Sequence, residues 1–430
     1  MKKIYLRADA SHATGYGHFV RTCALAAMLR DESDCTIFSA APDDFQRREA
    51  AGICSLVALP DDESRHGQFL SLLDGDETVV LDNYFFTEEY ISRLREKGCK
   101  VVRIQDFFDE KSSADAIVFP CRDPRRALLR DPFISGGEPA DKKAGRWVIA
   151  IGGTDPLGLA ERFKGELEER GLEAIVLRGG KNAGEVAELL RSAEGVVCSA
   201  SSVCYEALAC GCKVCAGWYV DNQQDFYRRL CEQGLILPLG DLRTAKLPEN
   251  PAAAPSDAEL VREMSLAPKY YRTLFKSLEL EAINYTGLTE SQSREVWALR
   301  NREEIRKWMT NPEPFSFESH SRFIESLKTR KDKEYYAFYK DGRLVGSFDI
   351  VGIAENDSAE TGLFVNPDTQ GQGIGRQMFC RMESRAHALG LKTLKAEVLK
   401  CNERSLKLHL SMGYKATSES DGMTYLTKTL

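Results

Sequence analysis

The sequence predicts an α/β chain: two successive lobes, each a parallel sheet with crossover helices, followed by a smaller α+β domain. Three observations carry this. Short β-branched runs alternate with helical stretches through the first half of the chain, the pattern of parallel strands joined by helices. A mixed-charge loop, Arg122 to Gly145, containing SGGEPADKKAG, interrupts the alternation once, after which it restarts. Beyond the stretch NPAAAPSDAE, Asn250 to Glu259, the pattern gives way to an antiparallel meander that leads into a glycine-rich turn.

The composition is compatible with this division. At 430 residues the chain exceeds the roughly 100 to 200 that one core usually serves. With 43% hydrophobic and 29% charged residues it is globular, which excludes disordered, collagenous and coiled-coil classes. The 58 Lys+Arg against 65 Asp+Glu give a net charge of −7, which argues against broad capture of nucleic acid or anionic membrane. Any phosphate must therefore be held locally. Thirteen scattered cysteines and an amino terminus, MKKIYLRADAS, without an apolar segment lead us to expect reduced thiols and a cytoplasmic protein. No apolar run approaches the ~20 residues of a membrane helix.

In the first lobe, expected over residues 1–143, strands are predicted at Ile4 to Arg7, Cys35 to Phe38, Thr78 to Leu81, Val101 to Ile104 and Ala116 to Phe119. The second, 144–277, has Trp147 to Ile151, Ala174 to Leu177, Gly195 to Cys198, Lys213 to Ala216 and Leu235 to Pro238, and a helix through Tyr271 and Phe275 closes it. The third, 278–430, opens with a strand and helices around Glu295 to Trp308 and Ser319 to Leu327. Strands follow at Tyr335 to Tyr339, Leu344 to Val351 and Glu360 to Val365.

Gln370-Gly371-Gln372-Gly373-Ile374-Gly375 then lies between a strand and an amphipathic helix reaching about Leu389. Three glycines let backbone approach an anion, and amides of the first helical turn point at it with the positive dipole end. With the preceding meander, the strand Leu394 to Val398 and Asn402-x-x-Ser405-x-x-Leu408-x-x-x-x-Gly413-Tyr414, this motif resembles the GNAT acyltransferases over about Leu278 to Leu430. Trp297-x-x-Arg300-Asn301 and Ser319-His320 resemble the branch that acetylates amino groups of nucleotide-linked sugars. The resemblance implies acetyl-CoA as co-substrate, its pyrophosphate on Gln370 to Gly375, its pantetheine along Leu363 and Val365, and Asn402 and Ser405 beside it. It also implies a proton donor to the leaving thiolate at His409, where family members usually carry tyrosine. Glu360, entering the strand before the loop, is a candidate to accept the amine proton.

At the amino terminus, the strand IYLRADA runs into Gly15-Tyr16-Gly17-His18 and a helix, which sets an imidazole on a first helical turn at the carboxyl end of a parallel strand. A helix amino terminus disfavours imidazolium, which suits His18 as a general base. In the second lobe Gly152-Gly153-Thr154-Asp155-Pro156, Ser199-Ala200-Ser201-Ser202 and Asp221-Asn222-Gln223 each follow a strand. This arrangement resembles the GT-B superfamily. R-A-D-x(5)-G-x-G-H-x-x-R, Arg7 to Arg21, followed by Asp82-x-Tyr84, S-A-S-S-x-x-x-E and N-Q, resembles the UDP-sugar hydrolases of pseudaminic acid biosynthesis over about Met1 to Phe275.

By that resemblance His18 activates water at the anomeric carbon, while Asp9, Arg21, Asp82 and Tyr84 line the sugar side. Gly153, Thr154, Ser201 and Ser202 take the diphosphate, Glu206 bonds the ribose, and Asn222 and Gln223 close the cleft. Such hydrolases often show two aspartates after strand four; here the run is Ile104-Gln105-Asp106, and no role passes to Asp106. The implied partner is a UDP-linked amino sugar, with no nucleic acid or membrane partner and no metal. Cys210-Gly211-Cys212 lacks a second Cys/His pair to complete a tetrahedral site. A GT-B glycosyltransferase with an appended acetyltransferase, and a non-catalytic nucleotide-sugar and CoA sensor, remain open as alternatives.

Overall fold

In the computed structural model of the protein, described for residues 1–11, 15–106, 112–135, 142–152, 155, 157–178, 181–353 and 357–430, the strands fall into three sheets. The first holds β1 (Lys2–Arg7), β2 (Ser33–Ala40), β3 (Ser55–Leu59), β4 (Thr78–Leu81), β5 (Lys100–Ile104) and β6 (Ala116–Val118). Their order is β3-β2-β1-β4-β5-β6, all parallel. The second holds β7 (Lys143–Ala150), β8 (Glu173–Val176), β9 (Ala193–Ser199), β10 (Lys213–Trp218) and β11 (Leu237–Asp241), ordered β11-β10-β9-β7-β8 and again parallel. Both are Rossmann-like. In each sheet the strand order reverses beside the first strand, and in open sheets the crevice at such a reversal receives ligands.

The third sheet contains β12 (Glu281–Asn284), β13 (Lys333–Lys340), β14 (Arg343–Val351), β15 (Ser358–Val365), β16 (Thr393–Leu399), β17 (Lys415–Ser420) and β18 (Met423–Thr429). The order is β12-β13-β14-β15-β16-β18-β17, antiparallel except between β15 and β16. Burial explains which strands are legible. The run TVVL of β4 is buried throughout because both faces of its sheet are covered, and TLKAEVL of β16 alternates buried Leu394, Ala396 and Val398 with more exposed residues. By contrast β3 is an edge strand in which only Leu59 is fully buried, and all six residues of β17 are exposed. Neither carries a period. The second sheet also begins earlier than expected, at Lys143, and β11 begins two residues later.

The helix Ala267–Ser277 does not close the second lobe as expected. It returns to the first lobe, packing on helix Gly17–Leu29 and on helix Ile374–Ala388 of the third segment. Arg272 Nε donates to Met28 O at 2.9 Å, and Tyr271, fully buried, donates its hydroxyl to Arg126 O at 2.6 Å.

Helix Ile374–Ala388 is buried nearly all round. Ile374, Met378 and Met382 enter a continuous apolar core with Phe338, Phe348, Ile350 and Leu394. Its other side meets the first lobe: Arg381 Nη1 donates to Asp115 O at 2.9 Å, and the His387 ring lies 4.7 Å from that of Phe119. At the centre, Glu383 takes Arg126 at 2.8 Å and also accepts from Lys428, whose ammonium donates to Met412 O at 2.6 Å as well. Burial opposes ionisation of Glu383, but Arg126 and Lys428 outweigh it and hold the carboxyl below its usual range. Burial, helped by Arg126, brings Lys428 down to about 8, so it remains mostly charged at neutral pH.

Removing one member of a buried ion cluster strands the others. Glu383→Ala is therefore expected to destabilise the transition that opens this interface by about 3–5 kcal/mol. Denaturant midpoints at unchanged slope measure it, and a loss below about 1 kcal/mol would show that Arg126 and Lys428 are satisfied elsewhere.

Candidate functional site

β15 and β16 pair only from Ser358↔Thr393 to Glu360↔Lys395. Thr361 Oγ1 donates to Lys395 O at 3.0 Å at the vertex, and beyond it the strands part. Gly362–Val365 and Ala396–Leu399 then line opposite sides of a cavity of about 1320 Å³. On this inner edge Leu363 and Val365 face the opening and not a neighbouring strand, since their ladder to β14 lies on the other side. Open backbone of this kind takes an extended ligand with amide groups of its own.

The loop at the wide end has Gly371 at φ 82° and Gly373 at φ 73°, backbone that side chains other than glycine adopt at a cost. Gly373 caps helix Ile374–Ala388 without a side-chain bond, so the first-turn amides remain available beside Gln370 and the exposed Gln372. Ile374 sends its side chain into the core and offers only its amide. Gly375 lines the same cavity and also has a packing role. Its φ is not positive, and an added Cβ would stand 2.9 Å from Leu408 Cδ2, so this glycine makes room for helix Glu403–Ser411. Asn402 Oδ1 caps that helix by accepting from Ser405 N at 3.1 Å, and both residues line the cavity. Arg376 and Arg404 stand at the same end; sequence reasoning missed them because single arginines carry no motif.

His409 also lines the cavity, with its ring 4.9 Å from Phe379 and 5.1 Å from Tyr414. Its Nδ1 lies 2.8 Å from Ser405 O, a pure acceptor, so Nδ1 carries the proton of the neutral ring. Burial pushes the imidazole below its ordinary range, which leaves Nε2 unprotonated at neutral pH. The expected proton donor is thus, in this environment, an acceptor. Glu360 is exposed at the cavity, in register with Val351. Across from it helices contribute Arg300 and His320, the latter 4% exposed with Nε2 lacking a hydrogen-bond partner among the described residues.

In the first lobe, His18 Nδ1 lies 2.8 Å from Asp82 Oδ1. Asp82 is a carboxylate, fully buried, that also accepts from Arg21 Nε at 2.7 Å and Thr22 Oγ1 at 3.2 Å. Arg21 Nη2, a donor, lies 3.1 Å from the same nitrogen, but the shorter contact to the carboxylate assigns the proton to Nδ1 and leaves Nε2 its lone pair. Arg21 Nη1 continues to Asp106 at 2.6 Å, and Tyr84, 64% exposed, donates to Asp106 at 2.7 Å while its ring meets the His18 edge at 4.8 Å. Loss of solvent around the hydroxyl itself, which lies against Asp106, and the Asp106 charge push the Tyr84 phenol up; burial opposes ionisation of Asp106, but Arg21 prevails and holds it at about 2.

Two sugar-side expectations change. Asp82 is saturated by His18, Arg21 and Thr22 and orients them. Asp9 is saturated by Arg7, by Ala40 N at 2.7 Å and by Arg65 at 3.3 Å, so it ties the strand ends together. Asp106, to which no role was carried, stands within the cluster; the missing first aspartate had hidden it.

The second lobe reaches this edge from above: Arg229 Nη1 donates to Asp106 O at 3.4 Å and Tyr205 to Cys121 O at 3.1 Å. Ser201 caps helix Ser202–Ala209 with no side-chain cap bond, and Ser202 is exposed. Asn222 is exposed, and Gln223 Oε1 accepts from Tyr219 N at 3.1 Å. Glu206 departs from expectation: it is buried and held by Arg130 at 3.2 Å, which also holds Glu49 of the first lobe at 3.0 Å. Gly153 and Thr154 lie outside the described residues. Asp155 accepts from the amides of Leu159 and Ala160 at 2.9 and 2.8 Å, so the helix start beside them already holds a carboxylate.

Residues 302–414, which span the diverging strands, the glycine loop and His409, match the acetyltransferase (GNAT) family. The carboxy-terminal unit is a GNAT acetyltransferase domain. Members of this family use acetyl-CoA as co-substrate. The domain is similar to acetyltransferase PseH of Campylobacter jejuni, 29% identical over 144 residues that cover 33% of this chain and 89% of that one. An uncharacterized protein of Methanocaldococcus jannaschii, MJ1062, is 20% identical across 97% of both chains. The crystal structure of C. jejuni PseH in complex with acetyl coenzyme A aligns at 26% identity with 35% of this chain and 98% of its own, with a TM-score of 0.29. Among the described residues, no helix is long and apolar enough to cross a membrane.

The packing account of Gly375 in the acetyltransferase domain can be checked by a double-mutant cycle. Gly375→Ala is expected to lose about 1–3 kcal/mol through overpacking. Paired with Leu408→Ala it should show a coupling above about 0.5 kcal/mol in thermal unfolding, whereas additive effects would mean that the glycine serves something other than this contact.

Proposed function

We propose that the chain performs two consecutive reactions on one UDP-linked sugar. In this reading the acetyltransferase domain N-acetylates UDP-4-amino-4,6-dideoxy-β-L-AltNAc with acetyl-CoA. The first two lobes then hydrolyse UDP-2,4-diacetamido-2,4,6-trideoxy-β-L-altropyranose to UDP and the free sugar. The observation that carries the first step is the divergence of β15 from β16 above an amide-lined helix terminus, which suits a pantetheine arm ending in a pyrophosphate. The similarity to acetyltransferase PseH supports acetyl transfer, and the resemblance carried by Trp297, Arg300, Asn301 and His320 favours an amino sugar as acceptor.

The residues divide this work. Leu363 and Val365 would pair with the pantetheine amides, and Gln370 to Ile374 would hold the pyrophosphate with Arg376 and Arg404 beside it. Arg300 and His320 face the acceptor side, where a guanidinium and an orphaned imidazole nitrogen suit the polar groups of a nucleotide-sugar. Neutral His409 is better suited to accept a hydrogen bond than to protonate the leaving thiolate, which takes its proton from water.

The hydrolytic half rests on the His18–Asp82 pair at the carboxyl edge of a parallel sheet, and Ser201 and Ser202, at a helix start without a side-chain cap bond, would take the diphosphate. Asp82 fixes the tautomer that leaves Nε2 able to take a proton from water, and the resulting imidazolium would lie beside a buried anion. Tyr84 would border the sugar and Asn222 with Gln223 the second-lobe side. Any ribose contact by Glu206 requires Arg130 to release it.

Incubating the protein with the UDP-amino sugar and acetyl-CoA should yield CoA thiol and UDP. His18→Leu is expected to lower UDP release by about 10²-fold or more while thiol release is retained. UDP that appears only after addition of an acceptor sugar would make the first two lobes a glycosyltransferase, and UDP release retained by His18→Leu would remove this histidine as base.

A further inference from the structure

Asp349, in β14, stands opposite Gly362 of β15, the residue next after Thr361 at the vertex where β15 and β16 part. Residues paired across antiparallel strands project to the same face. On this face Ser347, Asp349, Val351, Glu360 and Gly362 all line the acetyl cavity. The Asp349 carboxylate lies across β15: an added Cβ at Gly362 would stand 2.9 Å from Oδ2 and 3.1 Å from Oδ1. Glycine at 362 is thus what lets the acid lie over the strand, close to the Gly362 backbone. A thioester whose pantetheine arm follows Leu363 and Val365 would end at this vertex.

We propose that Asp349 is the group that takes the proton of the acceptor ammonium in acetyl transfer, an assignment that rests on the N-acetyltransferase reading above. An amine reaches the cavity as an ammonium, whose nitrogen has no free pair. Transfer of one proton to the Asp349 carboxylate frees that pair; nitrogen bonds to the thioester carbonyl carbon and the carbon–sulfur bond breaks. The second proton that nitrogen loses ends on the departing sulfur through water, and Asp349 returns its own to solvent when the amide leaves. The products are the N-acetyl sugar, CoA thiol and one released proton.

The surroundings suit this task. Arg300 faces Asp349 from helix Glu290–Arg300, Lys333 and Tyr335 from β13, Tyr285 from the turn after β12, and Glu360 from β15. Burial is the main influence and, with Glu360, raises the carboxyl to about 6 against the pull of the Gly362 amide, Arg300 and Lys333. An acid of that strength is ionised at neutral pH yet more basic than an ordinary aspartate, which improves proton transfer. Glu360, two register pairs away, is open to solvent.

The experiment compares full-length wild type, Asp349→Asn and Gly362→Ala with acetyl-CoA and the UDP-4-amino sugar across pH. Wild-type rate should fall as pH drops through about 6, the range in which the carboxylate becomes protonated. Asp349→Asn should lose about 10²-fold or more at neutral pH, lack that limb, and approach wild type as the amine deprotonates unaided. Gly362→Ala, which keeps the acid but displaces it, should also lose rate. Acetyl-CoA binding by equilibrium dialysis should be unchanged in Asp349→Asn, which shows that the variant is folded. Carbon-13 labelling of aspartate carboxyls should show a group titrating near 6 that Asp349→Asn removes. Retention of wild-type rate within about threefold, with the acid limb intact, overturns the assignment. Absence of thiol release by wild type overturns it together with the acetyltransferase reading.

Discussion

Helix Ile374–Ala388 is the element on which both halves of the molecule depend. A surface helix normally spends one face on its core and one on water. This one has no such division: one side completes the third sheet's core, the other meets the first lobe, and its amino terminus faces the acetyl cavity. The charge it carries inward, Glu383, is tolerable only because Arg126 arrives from one unit and Lys428 from the other. The carboxylate is therefore shared property, and neither unit presents this surface complete without its neighbour.

The two sites use buried charge in opposite ways. Around His18, the described carboxylates are satisfied: Asp82 by three partners, Asp9 by another set and Asp106 by Arg21 and Tyr84. Such a network costs desolvation but returns geometry, since it leaves one imidazole nitrogen as the group able to move a proton. In the acetyl cavity the pairing is less complete: among the described residues His320 Nε2 has no hydrogen-bond partner, and Asp349 lies over Gly362 of the next strand. A site of that kind waits for its reactants to complete it.

Much of this was legible in the sequence where burial imposes a period. Strands covered on both faces, such as β4, and alternating ones, such as β16, were readable; β3 and β17, with little or nothing buried, were not. Motif spacing picked out His18, Tyr84 and the loop from Gln370, because each lies where a strand gives way to a helix. It misjudged residues whose role depends on what lies across the fold. Gly375 faces Leu408, Glu206 faces Arg130 and Asp9 faces Ala40, contacts between segments that no local pattern encodes. Asp349 was invisible for the same reason: a lone aspartate in a strand acquires meaning only from Gly362 in the next.

The return of helix Ala267–Ser277 to the first lobe has a mechanical consequence. The contacts described for the acetyltransferase domain are made with β6, with residues 115–126 and with this returning helix. The second lobe hangs between two connecting segments, one leaving the first lobe after β6 and one leading back to it. The acetyltransferase domain is therefore seated on the first lobe, and the second lobe is an insertion between two of that lobe's segments. One polypeptide thus holds both units in an invariant one-to-one ratio.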